Sequence, residues 1–229
     1  MNKSIVIIGG STGIGKSLVE QASKEPSNRV FAFARKSKVM QDNFKSLENV
    51  STHHLDLEFF DERKFSEALA NIGKIDVLIN NAGYLVKNNF EKLSHDDLLR
   101  SYQINVIGIM QAVQVAVPMM NPKGGHIVNI SSMGGFQGSV KFPGLAAYST
   151  SKAALCSFTE LFAEEYKDSN TKMNCLCLGA VQTEMLEEAF PGFKAPHSPE
   201  EMASYIYTFA TTQDKFMNGK IIPVSLSTP

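Results

Sequence analysis

The chain has 229 residues, 43% of them hydrophobic, which is enough for a sizeable core. With 22 basic and 23 acidic residues its formal charge is -1, which removes any electrostatic case for nucleic acid or an anionic membrane as partner. The three cysteines, Cys156, Cys175 and Cys177, form an odd set in apolar stretches. That argues against a disulfide framework and for a reducing compartment.

The first apolar run, Ile5-Val6-Ile7-Ile8, is four residues long and ends in glycines. It is too short for a signal core or a membrane span, so the expected location is the cytoplasm. Further short runs follow at Val30–Ala34, Val50–Leu55, Ile75–Ile79, His126–Ile130, Met173–Leu178 and Lys220–Val224. Most are apolar throughout, the pattern of strands covered on both faces. Helical periodicity fills the gaps near 14–24, 61–72, 95–118, 147–167 and 199–212. Strand alternating with helix predicts right-handed crossovers and a doubly wound, three-layer parallel sheet of Rossmann type. No linker or repeat divides the chain, so one domain over 1–229 is expected. Two irregular segments, 133–146 and about 180–198, follow strands at their carboxyl ends. Ligands bind at that edge of an open α/β sheet, so these loops should border a site.

After the first strand comes Gly9-Gly10-Ser11-Thr12-Gly13-Ile14-Gly15-Lys16-Ser17. Glycines permit a tight turn and close backbone approach, and the helix that follows offers free N–H groups and a positive dipole end to phosphate. Gly10-x-x-x-x-Gly15-Lys16-Ser17 fits the P-loop pattern letter for letter, while Gly9, Gly13 and Gly15 fit a dinucleotide-binding variant, G-x-x-x-G-x-G. The turn alone leaves both open. A P-loop enzyme also wants an acid at the end of an apolar strand. Asp76 begins its strand; Asp56 ends one.

Taken together, the motifs resemble the short-chain dehydrogenase/reductase family. The residues that carry the resemblance are Gly9-x-x-x-Gly13-Ile14-Gly15, Asn80-Asn81-Ala82-Gly83, Asn105, Ile130-Ser131-Ser132, Tyr148-x-x-x-Lys152 and Gly179-x-Val181-x-Thr183. They stand in family order across nearly the whole chain. The resemblance implies hydride transfer between a nicotinamide dinucleotide and a carbonyl or alcohol. Tyr148 is then the proton donor or acceptor. An unperturbed phenol, with a pKa of about 10, is a poor exchanger near neutrality, and a nearby cation would lower it. Tyr148 and Lys152 are four apart on a predicted helix and share a face. Lys152 is therefore expected to depress the phenol pKa, and the resemblance adds a hydrogen bond from it to the nicotinamide ribose.

The resemblance further implies that Ser132 binds the substrate oxygen and that Asn105 holds a water linking the lysine to solvent. Asp56 and Leu57 would border the adenine. Asn81, Ala82 and Gly83 would let the adenosine half approach the backbone, and Val181 and Thr183 would hold the carboxamide. Ser11, Thr12 and Ile14 complete the turn expected to line the cofactor. Strand alternation lets only one of Ser131 and Ser132 face the site. Two departures from the family pattern stand out. Sixteen positions separate Ser132 from Tyr148, so residues near Gly134–Lys141 are expected to bulge outward, and Leu178 replaces a family proline before Gly179.

An acid at the end of the second strand would favour NAD. Here the strand ends in Ala34-Arg35-Lys36. Arg35 can fork onto a 2′-phosphate, so NADP(H) is expected over NAD(H). Met185, Leu186, Phe190, Phe193 and Pro196 form an apolar set able to cover a small carbonyl compound, while Glu184, Glu187 and Glu188 are expected to stay solvated. The five histidines are scattered, Cys175-x-Cys177 has no second ligand pair downstream, and no metal is expected. Wide apolar faces on 95–118 and 147–167, with the resemblance, imply a homodimer or homotetramer. Two other functions stay open: a dinucleotide-binding sensor without turnover, and a P-loop nucleotide hydrolase.

Overall fold

The computed structural model describes residues 2–226, so the outermost residues of the expected 1–229 unit lie outside it. Seven strands form one parallel sheet in the order β3-β2-β1-β4-β5-β6-β7. They are β1 (Ser4–Ile8), β2 (Arg29–Ala34), β3 (Val50–His54), β4 (Val77–Asn80), β5 (Gly125–Ser132), β6 (Thr171–Leu178) and β7 (Ile221–Val224). The sheet reverses direction of growth between β1 and β4, and the crevice beyond their carboxyl ends is where such folds take ligands.

Period-2 alternation sorts the core into two layers. Ile5 and Ile7 of β1 face one side, packing with Leu18 and Val19 of α1 (Gly13–Ser23) and Ile206 and Phe209 of α8 (Pro199–Thr212). Val6 and Ile8 face the other, against Phe65 of α3 (Glu62–Ala70), Val113 of α5 (Gly108–Ala116) and Phe162 of α6 (Ala146–Glu165). Each such fully buried aliphatic contributes about 1.5–3 kcal/mol. The helices start where the chemistry dictates. Asp61 caps α3 through Lys64 N–H, and Ser198 with Glu201 forms a capping box at α8, with Pro199 in its first turn. Among the described residues no helix is long and apolar enough to cross a membrane.

The predicted helix over 95–118 forms, with a π-helical turn inside it. α4 (His95–Tyr102) gives way to a π-helical turn over Gln103–Ile107 before α5 begins at Gly108. A Cβ on Gly108 would stand 2.5 Å from the Leu57 carbonyl oxygen, so α5 seats directly on the β3 loop. The π turn places Asn105 in the interior. Two short helices arise where none is predicted: α2 (Ser37–Phe44) and α7 (Glu184–Ala189). α2 buries only Met40 and Phe44, and α7 is six residues long. Neither carries enough apolar face to show a helical period.

Candidate active site

A cleft of about 700 Å³ opens at the carboxyl ends of the strands. Its floor is the glycine turn. Gly9 has φ 93°, and a Cβ there would meet the Ala82 backbone at 2.5 Å. A Cβ on Gly15 would overlap the Gly9 carbonyl oxygen. Gly15 therefore sits behind the turn and shapes it, while Gly9, Ser11, Thr12, Gly13 and Ile14 line the cleft. Asn81 donates from its amide to the Gly9 carbonyl at 3.0 Å, and the N–H groups of Asn81 and Ala82 both reach the Ile8 carbonyl. The turn thus locks to the end of β4, and Asn81, Ala82 and Gly83 form the adjoining wall.

This cradle fits a dinucleotide phosphate. No side chain caps the first N–H groups of α1, and its first turn holds no acid to repel an anion. Lys16 and Ser17, which a mononucleotide site would need, turn elsewhere. Lys16 pairs with Glu20 along the helix surface at 3.0 Å, and Ser17 donates to Glu200 at 3.3 Å. Neither lines the cleft, and the P-loop reading falls.

At the adenine end, Arg35, Asp56 and Leu57 line the cleft. The Asp56 carboxylate accepts the Glu58 N–H at 2.9 Å, and Leu57 is mostly in the core. Glu58 escaped the sequence reading. It approaches Arg35 at 3.7 Å but is held closer by Arg100, at 3.1 Å through two nitrogens. An acid does therefore stand near Arg35, delivered by β3, the spatial neighbour of β2. Its charge is already committed to Arg100, and the Arg35 side chain remains 53% exposed.

At the opposite end, β5 delivers the two serines on opposite faces. Ser131 is buried and donates to the Lys152 carbonyl at 2.8 Å; Ser132 lines the cleft and hydrogen-bonds the Tyr148 hydroxyl. Of the residues between Ser132 and Tyr148, the stretch at 137–141 turns outward, while Gly134, Gly135 and Ser139 stay buried. Gln137, Gly138, Val140 and Lys141 are exposed, and the Lys141 ammonium ties the loop together through the Gly134 and Phe136 carbonyls.

Tyr148 and Lys152 both line the cleft, from one face of α6. The expected depression of the phenol pKa is absent. Burial pushes Tyr148 above its ordinary value, against the hydrogen bond with Ser132, which pulls it down. Lys152 Nζ lies 6.0 Å from the Tyr148 ring centre and donates instead to the Ile130 carbonyl at 2.8 Å. Spacing put the two residues on one face, but the long lysine stem reaches an orphan acceptor at the end of β5. Burial lowers the Lys152 ammonium to about 8, although the three neighbouring thiols pull it upward.

Asn105 is fully buried and does not line the cleft. Its carbonyl accepts the Tyr84 N–H at 2.7 Å, and its amide donates to the Tyr84 carbonyl and to Ser151. Its amide atoms bond protein groups, so here it clamps the chain after Gly83 to α6.

The lid is α7 with the residues after it. Thr183 caps α7 by accepting the Leu186 N–H, and its methyl lies against Gly13. Val181 bridges to His197 at the base of the lid. Met185, Leu186, Phe190 and Phe193 line the cleft, as do Glu184 and Glu188, whereas Pro196 does not. The sequence reading missed Phe142 and Leu145, which also line the cleft, and Lys87, which does not line it but holds the lid. The Lys87 ammonium caps the end of α7 through the Ala189 carbonyl at 2.8 Å and stands 4.0 Å over the Phe190 ring. Phe142 meets Phe190 edge-on at 6.4 Å.

A parallel sheet that reverses beside a glycine turn, with a tyrosine and a lysine one helical turn apart across the crevice, defines a dinucleotide-dependent oxidoreductase. The family model described as short chain dehydrogenase matches residues 3–192. The chain belongs to the short-chain dehydrogenase/reductase family. It is 26% identical over 240 residues to 3-oxoacyl-[acyl-carrier-protein] reductase FabG of Aquifex aeolicus, covering 97% of this chain and 96% of that protein. It is 32% identical over 199 residues to oxidoreductase UcpA of Salmonella typhimurium, covering 81% and 72%. Among solved structures, BdcA in complex with NADPH superposes with a TM-score of 0.84 at 25% identity, covering 98% of this chain and 93% of that one. A short-chain dehydrogenase/reductase from Serratia marcescens gives 0.85 at 27%, covering 98% and 96%.

Proposed function

We propose that the chain is an NADPH-dependent reductase of a small carbonyl compound, with Tyr148 as proton donor. The observation that carries this is the placement of Tyr148: a cleft-lining phenol, hydrogen-bonded to Ser132, whose pKa burial moves further above neutrality. A stored proton suits reduction of a carbonyl, which must gain one, better than oxidation of an alcohol. The bound nicotinamide supplies the hydride. Ser132 binds the substrate oxygen and orients the Tyr148 hydroxyl. Lys152 holds the nicotinamide ribose with its ammonium, and Asn105 acts as a positioning residue that fixes the Gly83 wall.

The same reading assigns the remaining contacts. Gly9, Ser11, Thr12, Gly13, Ile14 and Gly15 form the pyrophosphate turn, and Asp56 with Leu57 borders the adenine. Asn81, Ala82 and Gly83 wall the adenosine side, and Val181 and Thr183 take the carboxamide. Arg35, half-exposed and only loosely approached by Glu58 at 3.7 Å, receives the 2′-phosphate. The NADPH bound to BdcA and the 3-oxo substrate named for the Aquifex relative support this choice of cofactor and carbonyl class. Exposed Ile107, Met110 and Leu161 on the α5 and α6 side suit pairing of two copies, hence a homodimer or homotetramer. A cytoplasmic location follows from the reduced thiols and the reduced cofactor.

The test is a panel of ketones, aldehydes, quinones and pterins, followed by NADPH absorbance. One class should be reduced with saturation kinetics. NADPH binding with no turnover across the panel would replace the reductase with a dinucleotide-binding sensor.

A further inference from the structure

Cys175 and Cys177 are two apart on β6 and so point to the same face. Sequence spacing offers them no second ligand pair. The fold adds a third ligand: Cys156 of α6, upstream and one turn beyond Lys152, packs onto both. The Cys156 sulfur lies 3.9 Å from that of Cys175 and 3.6 Å from that of Cys177, and all three fall within 4.8 Å of one another. None is in a disulfide. It is the one His, Cys, Asp and Glu group of metal-holding geometry among the described residues.

A trigonal ion about 2.3 Å from each sulfur needs sulfurs about 4.0 Å apart. The two sides that meet at Cys156, 3.9 and 3.6 Å, come to that length with shifts of a few tenths of an ångström, and the Cys175–Cys177 side lies within 4.8 Å. The wall is Met133, Phe136 and Ile221, apolar and partly thioether. Zinc closes structural sites with four ligands, and among the described residues no further His, Cys, Asp or Glu joins the three. Soft thiolates in a dry, three-ligand pocket select a soft ion of low charge and low coordination number. Cys156 is the least buried of the three at 8% exposed, its thiol donates to the Ser131 hydroxyl at 3.4 Å, and Ser131 in turn donates to the Lys152 carbonyl.

We propose that Cys156, Cys175 and Cys177 form a three-sulfur site for copper(I) between α6 and β6, behind the catalytic cleft. Binding exchanges the thiol protons for three copper–sulfur bonds, with no electron transfer when the ion arrives as copper(I). The ion cross-links the helix bearing Tyr148 and Lys152 to the sheet.

The full chain is loaded anaerobically with copper(I), desalted against a competing chelator, and its metal content measured. Wild type should keep one equivalent, and Cys156→Ala, Cys175→Ala and Cys177→Ala should each keep at least tenfold less. Thermal melts and NADPH binding report whether each variant is folded. X-ray absorption on loaded wild type needs no variant: it should show a shell of three sulfurs near 2.3 Å. Copper retention by the three variants equal to that of wild type, a shell of nitrogen or oxygen, or zinc held in preference to copper would each overturn the proposal.

Discussion

The two ends of the cleft are held by different materials. At the glycine turn the contacts are between backbone atoms: Gly9 against Ala82, Gly15 against the Gly9 carbonyl, and Asn81 and Ala82 on the Ile8 carbonyl. At the lid they are between side chains and distant loops: Lys87 on the end of α7, and Phe142 from the bulged loop against Phe190. A backbone-built site tolerates no added atom. A side-chain latch can lose a member and loosen. The first end should fail sharply under mutation and the second gradually.

The sharpest break in that contrast is Gly15→Ala. The new methyl overlaps the Gly9 carbonyl, so we expect a loss of ~1–3 kcal/mol in stability and abolition of the NADPH-induced thermal shift. A melt in which the variant still responds fully to NADPH would show that the turn can yield. Next in size is Arg35→Ala. Removing charge-assisted bonds from a half-exposed guanidinium should raise the KM for NADPH roughly tenfold and leave that for NADH nearly unchanged. Equal effects on both cofactors would transfer the selectivity to Glu58 or to the turn.

The pH profile is the third expectation. Lys152 is charged below about 8 and loses its proton as pH rises through that value, while Tyr148, raised above its ordinary value, stays protonated. Reductive kcat/KM should therefore fall about tenfold per unit above that point. Lys152→Arg should remove the falling limb there, because arginine keeps its charge. The smallest effect belongs to the latch. Lys87→Met loses a hydrogen bond and a cation–π contact of about 1 kcal/mol, so the KM for the carbonyl substrate should rise about three- to fivefold with NADPH binding intact.

The same contrast explains what could be read from the chain. The strand runs, the parallel sheet and the glycine turn were legible because buried runs and glycines record backbone constraints locally. Tyr148 and Lys152 were legible as a pair because a four-residue spacing on a helix is geometry. Their electrostatics were not, since the Ile130 carbonyl that captures Lys152 lies on another element. Glu58 was hidden because β3 neighbours β2 only in the folded sheet. α2 and α7 were hidden because two or fewer buried residues each leave no periodic signal. Cys156 was read as one more core thiol, because its two partners lie across a helix–sheet interface.

The central claim is that Tyr148 delivers the proton, and single-turnover reduction by Tyr148→Phe tests it most directly. The variant should bind NADPH as wild type does and reduce a responding carbonyl about 10²–10⁴-fold more slowly. A variant that binds NADPH normally and reduces the same carbonyl at the wild-type rate would contradict the account.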